Sequence, residues 1–281
     1  MEGEGVKLTI DIISEKNVKN GEIITKNQLK SLLEQDNYKI YEVIRVIEKK
    51  PIFLEEHFNR MVNSIELSGL NSKIELDDYK SYIEILIKEN NFENCNIRVS
   101  FFIINEPVFL MYFVKSTYPS PDLYKSGIDV VMVKKHRRDP NIKLFESNLR
   151  DSIDKILSEK KAFEAILIND DDTVSEGSKS NVFFVKENEL ITSKDSSVLL
   201  GVTREKVIDI CNRNGINVNK RNISVDELKS FDAAFITGTS INVLPIKKID
   251  DILYNSSLNE IVLRVSDLYL NEVNTKMNSN K

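Results

Sequence analysis

A carboxylate and an amine stand out in this chain because of the residues that flank them. Glu176 sits beside Gly177 in Val174-Ser-Glu-Gly-Ser178, between an apolar run that begins at Ala165 and another that begins at Val182. β-branched and aromatic runs separated by polar clusters read as strand, turn and strand. An acid placed between two buried strands is costly unless something pairs with it. The adjacent glycine lets a ligand approach the backbone closely; the plain alternative is a solvated turn acid. The amine is Lys143, which has Ile142, Leu144 and Phe145 around it. Apolar surroundings disfavour an ammonium and favour the neutral nucleophile, whereas an ordinary lysine is a solvated surface charge. Gly201-Val-Thr203 opens a helix, whose first N–H groups suit an anion or serve only as a cap. Gly238-Thr-Ser240 follows a strand and offers further N–H and hydroxyl donors. Arg98, in Asn96-Ile-Arg-Val99, is a charge within an apolar strand and needs a partner. A ligand carboxylate and a structural salt bridge would serve it equally. The basic loop His136-Arg-Arg138 suits an acidic group or plain solvation.

These segments recur in a fixed order: Tyr41-Glu-Val-Ile-Arg45, Glu56-His-Phe-Asn-Arg60, Asn141-Ile-Lys143, Glu164-Ala-Ile-Leu167, Ser175-Glu-Gly-Ser-Lys-Ser-Asn-Val-Phe183, Gly201-Val-Thr-Arg204, and Gly238-Thr-Ser240 with Leu244-Pro-Ile246. Over about residues 39–250 the set resembles the class IV aminotransferases, the pyridoxal 5'-phosphate (PLP) enzymes of fold type IV. That family includes branched-chain and D-amino-acid aminotransferases and aminodeoxychorismate lyase. The resemblance implies a transaminase that passes an amino group between an amino acid, branched-chain-like as first choice, and a 2-oxo acid in a ping-pong cycle. Lyase-type elimination of pyruvate, or a catalytically degenerate member, are the alternatives.

It also implies residue roles. Lys143 would be the Schiff-base lysine, at the family's distance from Glu164-Ala-Ile-Leu167, and Glu176 the partner of the pyridinium nitrogen. Val202, Thr203, Thr239 and Ser240 would cradle the phosphate, with Arg60 as countercharge, and Tyr41 and Arg98 would line the substrate pocket. A homodimer is implied as well. Two segments depart from the family pattern. Asn148-Leu149 comes slightly late after Leu144-Phe-Glu-Ser147, and Glu34-Gln-Asp-Asn-Tyr38 replaces the Asp/Gly-rich segment before Tyr41.

The elements that must position these residues follow from periodicity. Strands are expected over Val6–Ser14, Lys39–Ile47, Pro51–Leu54, Asn96–Ile104 and Val108–Lys115, with helices over Asn27–Gln35, Glu55–Leu67 and Leu76–Asn90. Ser116–Asp122, with two prolines, reads as a linker between a small α/β domain, residues 1–118, and a larger PLP-binding domain, residues 119–281. Beyond it, a strand at Gly127–Val133 and a helix at Asn148–Lys160 precede three or four strands within Ala165–Ser193. A helix at Thr203–Asn212 has Thr203 as its N-cap, and Ser224-Val-Asp-Glu227 carries a capping box. Strands at Asp232–Thr237 and Val243–Lys248 and a closing helix at Leu258–Val273 complete an α+β, two-domain pattern of the D-amino-acid aminotransferase-like type. Asn274–Lys281 reads as a frayed polar tail.

Composition sets the outer limits. A chain of 281 residues, 41% hydrophobic and 30% charged, suits a two-domain soluble enzyme. Net charge of -5 gives no basic footprint for nucleic acid. Cys95 and Cys211 lack metal-ligand spacing and read as small buried residues, and two histidines cannot build a His-rich metal site. No apolar run is long enough to span a bilayer and no signal pattern opens the chain, so a cytoplasmic protein is expected.

Overall fold

The computed structural model describes residues 11–35, 39–72 and 74–279. The chain divides into two units, Met1–Thr117 with Ile142–Phe145, and Tyr118–Asn141 with Glu146–Lys281. The segment carrying Lys143 therefore goes with the first unit, whereas the sequence reading put it in the second. Backbone pairing is the cause: Tyr41 N–H donates to the Lys143 carbonyl at 3.0 Å, and Phe145 N–H to that of Lys39 at 3.0 Å.

In the first unit the strands β1 (Lys16–Lys19), β2 (Glu22–Thr25), β3 (Ile40–Ile47), β4 (Lys50–Pro51), β5 (Cys95–Ile103) and β6 (Pro107–Val114) form one antiparallel sheet, ordered β2-β1-β6-β5-β3-β4. Helix α1 (Lys26–Leu33) packs Leu29 and Leu33 against Phe102, Leu110 and Tyr112 on one face. Helices α2 (Leu54–Leu67) and α3 (Leu76–Glu89) bring Met61, Ile65, Ile83 and Leu86 to Ile44, Ile97 and Phe113 on the other. The alternation of a strand thus gives β3 two functions: Glu42 faces α2, and Tyr41 points the opposite way. The β1–β2 hairpin was not foreseen. Its signal was Asn20-Gly21, both with positive φ (47° and 87°), the pair a tight hairpin turn favours. Residues 6–10 of the expected Val6–Ser14 strand, and 36–38 of Glu34–Tyr38, lie outside the described residues; Ile12 makes an isolated bridge to Val114.

The second unit contains α4 (Pro121–Ser126), β7 (Ile128–Lys134), α5 (Ser147–Lys160), β8 (Glu164–Ile168), β9 (Val174–Gly177), β10 (Asn181–Lys186), β11 (Glu189–Ser193), α6 (Val202–Arg213), β12 (Asn217–Arg221), β13 (Ala233–Gly238), β14 (Asn242–Ile249), β15 (Ile252–Leu253) and α7 (Glu260–Ser279). Its sheet runs β12-β11-β10-β13-β14-β7-β8-β9, with β15 on β14. The sheet curls until its ends approach, so that Ser193 Oγ of β11 donates to the Val174 carbonyl of β9 at 2.8 Å. Val182, Phe184, Ile236, Leu244, Ile128 and Ile166 fill the inside. On the outside Phe183 stacks on Phe235 with ring centroids 5.0 Å apart. The expected N-cap shifts: Gly201 holds that position and Thr203 lies inside α6. The short helix α4 and the edge strand β12 were unforeseen. The closing helix runs on to Ser279 rather than ending at Val273, because its buried stripe Val262, Val265, Tyr269 and Val273 continues to half-buried Met277. Cys95 and Cys211 are buried free thiols, as expected.

The polar join between α2 and β3 is a buried ion cluster. Glu42 is 0% exposed. Arg60 Nε donates to its Oε1 at 2.7 Å, and Arg60 Nη2 to its Oε2 at 2.6 Å. His57 Nδ1 lies 2.8 Å from Oε2. Burial alone would raise the Glu42 carboxyl, but the Arg60 charge and the hydrogen bonds from both partners outweigh it and bring it to about 2. Burial lowers His57, so it stays neutral and donates.

Two stability predictions follow from this packing. Phe235→Ala should cost about 3–5 kcal/mol by leaving a cavity over Phe183, read as a lower urea midpoint at unchanged slope. The folded Glu42 carboxyl lies below its ordinary 4.5, at about 2, so its contribution is whole above pH 4.5 and lost as pH falls toward 2. That window is worth about 3 kcal/mol. Unfolding followed by circular dichroism at stepped pH should show it, and Glu42→Gln should flatten the acid limb while lowering neutral stability by about 3–5 kcal/mol, because one charge of a buried ion pair is removed.

Candidate active site

In the first unit the structure brings together three of the expected residues, Lys143 and Arg98 against the ring of Tyr41. The Lys143 amine lies 4.7 Å from the Tyr41 ring centroid, and the Arg98 guanidinium 4.1 Å from the same centroid. Phe145 presents a second ring 4.9 Å from Arg98. The two rings stand at 90° with centroids 6.1 Å apart, so the guanidinium sits in the corner they form, held by cation–π attraction. Lys143 is half-buried, and its N–H donates to Ser64 Oγ of α2 at 3.2 Å. Arg98 is 6% exposed, with the two rings and a hydrogen bond with the Tyr112 side chain among its surroundings. Arg60 donates through both Nε and Nη2 to Glu42, and its charge also acts on the Tyr41 hydroxyl. Asn148 is exposed on α5.

In the second unit Glu176 is buried, 2% exposed, near the end of β9. Its Oε1 accepts from Arg137 Nε at 2.9 Å, and its Oε2 accepts from Asn181 Nδ2 and the Leu199 N–H, both at 3.1 Å. Both oxygens accept, which is the pattern of a carboxylate. The sequence marked Glu176 as an acid in need of partners without identifying Arg137, Asn181 or the Leu199 N–H. Arg137 was one of three basic residues in the loop; it turns inward, whereas His136 and Arg138 are exposed. Asn181 was visible in the motif without a role. It also donates to the Leu199 carbonyl at 2.8 Å, which ties Glu176 to the chain just ahead of α6.

That tie matters for the phosphate expectation. Gly201 caps α6 with no side-chain hydrogen bond, so the helix begins with N–H groups that no side chain caps. Only glycine fits there, since a Cβ would stand 2.1 Å from Asn181 Oδ1. Val202 and Thr203 are both buried at this first turn. Asn181 pairs directly with Thr237 across β10 and β13, which brings Gly238, Thr239 and Ser240 to the end of the neighbouring strand. Thr237 Oγ1 is buried with no hydrogen-bond partner among the described residues. A second acid, Glu164, fixes the intervening turn: it accepts from Ser178 Oγ at 2.5 Å and Ser180 Oγ at 3.0 Å. An acceptor-only acid joined through one asparagine to an uncapped helix start, with an unsatisfied hydroxyl next to it, fits a flat cofactor that carries a basic ring nitrogen and a phosphate. Among the described residues no His/Cys/Asp/Glu group could hold a metal ion, and no helix is long and apolar enough to cross a membrane.

Comparison with known proteins agrees with this chemistry. A Thermotoga maritima protein named "Probable branched-chain-amino-acid aminotransferase" is 30% identical over 217 residues, covering 75% of this chain and 77% of that one. The D-alanine aminotransferase of Bacillus licheniformis is 28% identical over 247 residues, covering 82% and 87%. The crystal structure of a branched-chain aminotransferase from Thermoproteus uzoniensis, with norvaline, superposes with a TM-score of 0.82 at 22% identity, over 94% of this chain and 96% of that one, which shows fold type IV. Enzymes of this class use PLP. Residues 39–249 match the family model for amino-transferase class IV, and with that match the chain belongs to the class IV aminotransferases, PLP-dependent enzymes that move amino groups.

Proposed function

We propose that the chain is a transaminase for a branched-chain-like amino acid and a 2-oxo acid, acting as a cytoplasmic homodimer. The observation that carries the reading is the link from Glu176 through Asn181 to the uncapped start of α6, which joins an acceptor for a ring N–H to a seat for a phosphate. Bound, PLP withdraws electrons from the substrate α-carbon and carries the amino group from one substrate to the next.

The chain's own residues then divide the work. Lys143 would hold the cofactor through its amine and would take and return the proton at the substrate α-carbon. Glu176 keeps the ring nitrogen protonated by accepting its N–H. The backbone of Val202 and Thr203, with Thr239 and Ser240, donates to the phosphate, and Arg60 adds positive charge. Arg98, set in the corner of the Tyr41 and Phe145 rings, suits a substrate carboxylate. The rings of Tyr41 and Phe145 suit an apolar side chain, in keeping with the branched-chain name of the Thermotoga maritima relative.

The half-reaction tests this reading. Protein loaded with PLP is titrated with single L- and D-amino acids while its visible absorbance is followed, and 2-oxoglutarate is then added. Loss of the lysine-bound band with a branched-chain amino acid, followed by glutamate, is the expected result. Lys143→Ala should lower turnover at least about a hundredfold. Pyruvate without glutamate would replace the transaminase with the lyase, and no spectral change with any amino acid would end both readings.

A further inference from the structure

Arg137 reaches Glu176 from the loop after β7. Its side chain is only 10% exposed, against 3% for that of Glu176. The guanidinium forks: Nε donates to Glu176 Oε1 at 2.9 Å, and Nη2 donates to the Ser178 carbonyl at 2.8 Å. One rigid plane therefore spans the acid and the backbone two residues beyond it. The turn itself has an independent anchor, since Glu164 takes the hydroxyls of Ser178 and Ser180 and the Lys179 N–H at 3.2 Å. What Arg137 adds is charge and aim.

We propose that Arg137 is a positioning residue that holds Glu176 as a carboxylate available to the cofactor's ring nitrogen, and so sets how firmly that nitrogen keeps its proton. This rests on the role given to Glu176 above. The physical case is direct. Burial favours the neutral form of an acid, and Asn181 and the Leu199 N–H are uncharged donors. A neutral Glu176 could not hold a ring N–H as its ion partner. A lysine at position 137 would keep the charge but could not bridge the acid and the Ser178 carbonyl with one flat fork.

A double-mutant cycle reads the coupling without cofactor: Arg137→Met, Glu176→Gln and the pair, each followed by urea unfolding of the apoprotein. Arg137→Met should lower the midpoint strongly in the wild-type background and far less beside Glu176→Gln, where no charge awaits a partner. On loading with PLP, Arg137→Met should weaken cofactor binding about ten- to a hundredfold, the usual size of a lost outer partner. It should also lower the pH midpoint at which the ring nitrogen of 15N-labelled PLP loses its proton, read by nitrogen NMR of the loaded protein. Arg137→Lys should recover part of both effects and serves as the test should the methionine variant not fold. Glu164→Gln, which disturbs the turn without touching the Glu176 charge, should lower stability and leave that pH midpoint in place. Additive stabilities in the cycle, or an Arg137→Met protein with wild-type cofactor affinity and pH midpoint, would overturn the proposal. A wild-type protein that gains no visible band with PLP would instead remove the proposed function, while the apoprotein cycle still decides the Arg137–Glu176 coupling.

Discussion

A carboxylate taken out of water must be surrounded by donors, and Glu176 shows how much of a fold that requirement can recruit. The acid sits on a short strand of the curled sheet, and its donors come from a loop, from the next strand and from the chain ahead of a helix. None of these is adjacent to it in sequence except through the turn at Ser178–Ser180. Three separate segments are thereby drawn to one point. Each donor removed takes a hydrogen bond from a carboxylate that water does not reach, which costs more there than the same bond would in water.

The first unit obeys the same rule with different residues. Glu42 draws His57 and Arg60 from α2, whose spacing of three residues puts both side chains on one face of the helix. The cluster replaces part of the apolar contact that would otherwise join α2 to β3, and it ties register to charge: a slip of one residue in β3 would turn Glu42 away and bring Tyr41 under the helix. Arg98 shows a second solution to burying charge. The described contacts give it the Tyr41 and Phe145 rings and a hydrogen bond with the Tyr112 side chain. Those faces favour a cation while leaving its N–H edge directional.

Glycine marks where the backbone itself must come close. A Cβ on Gly177 would meet Ser180 Oγ at 2.0 Å, and one on Gly201 would meet Asn181 at 2.1 Å. Both positions bound the segment that carries Glu176 and its link to α6. Because Gly201 brings no side chain, the first N–H groups of α6 keep their capacity for an anion, which a serine or aspartate cap would have taken up.

Much of this was legible in the chain. The alternation in Lys39–Ile47 and the helical spacing of Phe58, Met61 and Ile65 foretold β3 and α2 within a residue, since burial of one face imposes those periods. Short elements escaped because little apolar pattern marks them: β1 buries an asparagine beside its valine, and β2 and β12 have no fully buried side chain. Glu176, Gly177 and the Gly201 turn stood out because an acid or a glycine between buried strands conflicts with its neighbours unless it has a task. What sequence alone determined, then, was the identity of the unusual residues and the elements that bear them. Only the tertiary structure decided their partners. It chose Arg137 over His136 and Arg138, gave Arg60 to Glu42, and set Lys143 beside Tyr41 in the first unit. Such pairings depend on which distant backbones meet, and a local pattern carries no information about that.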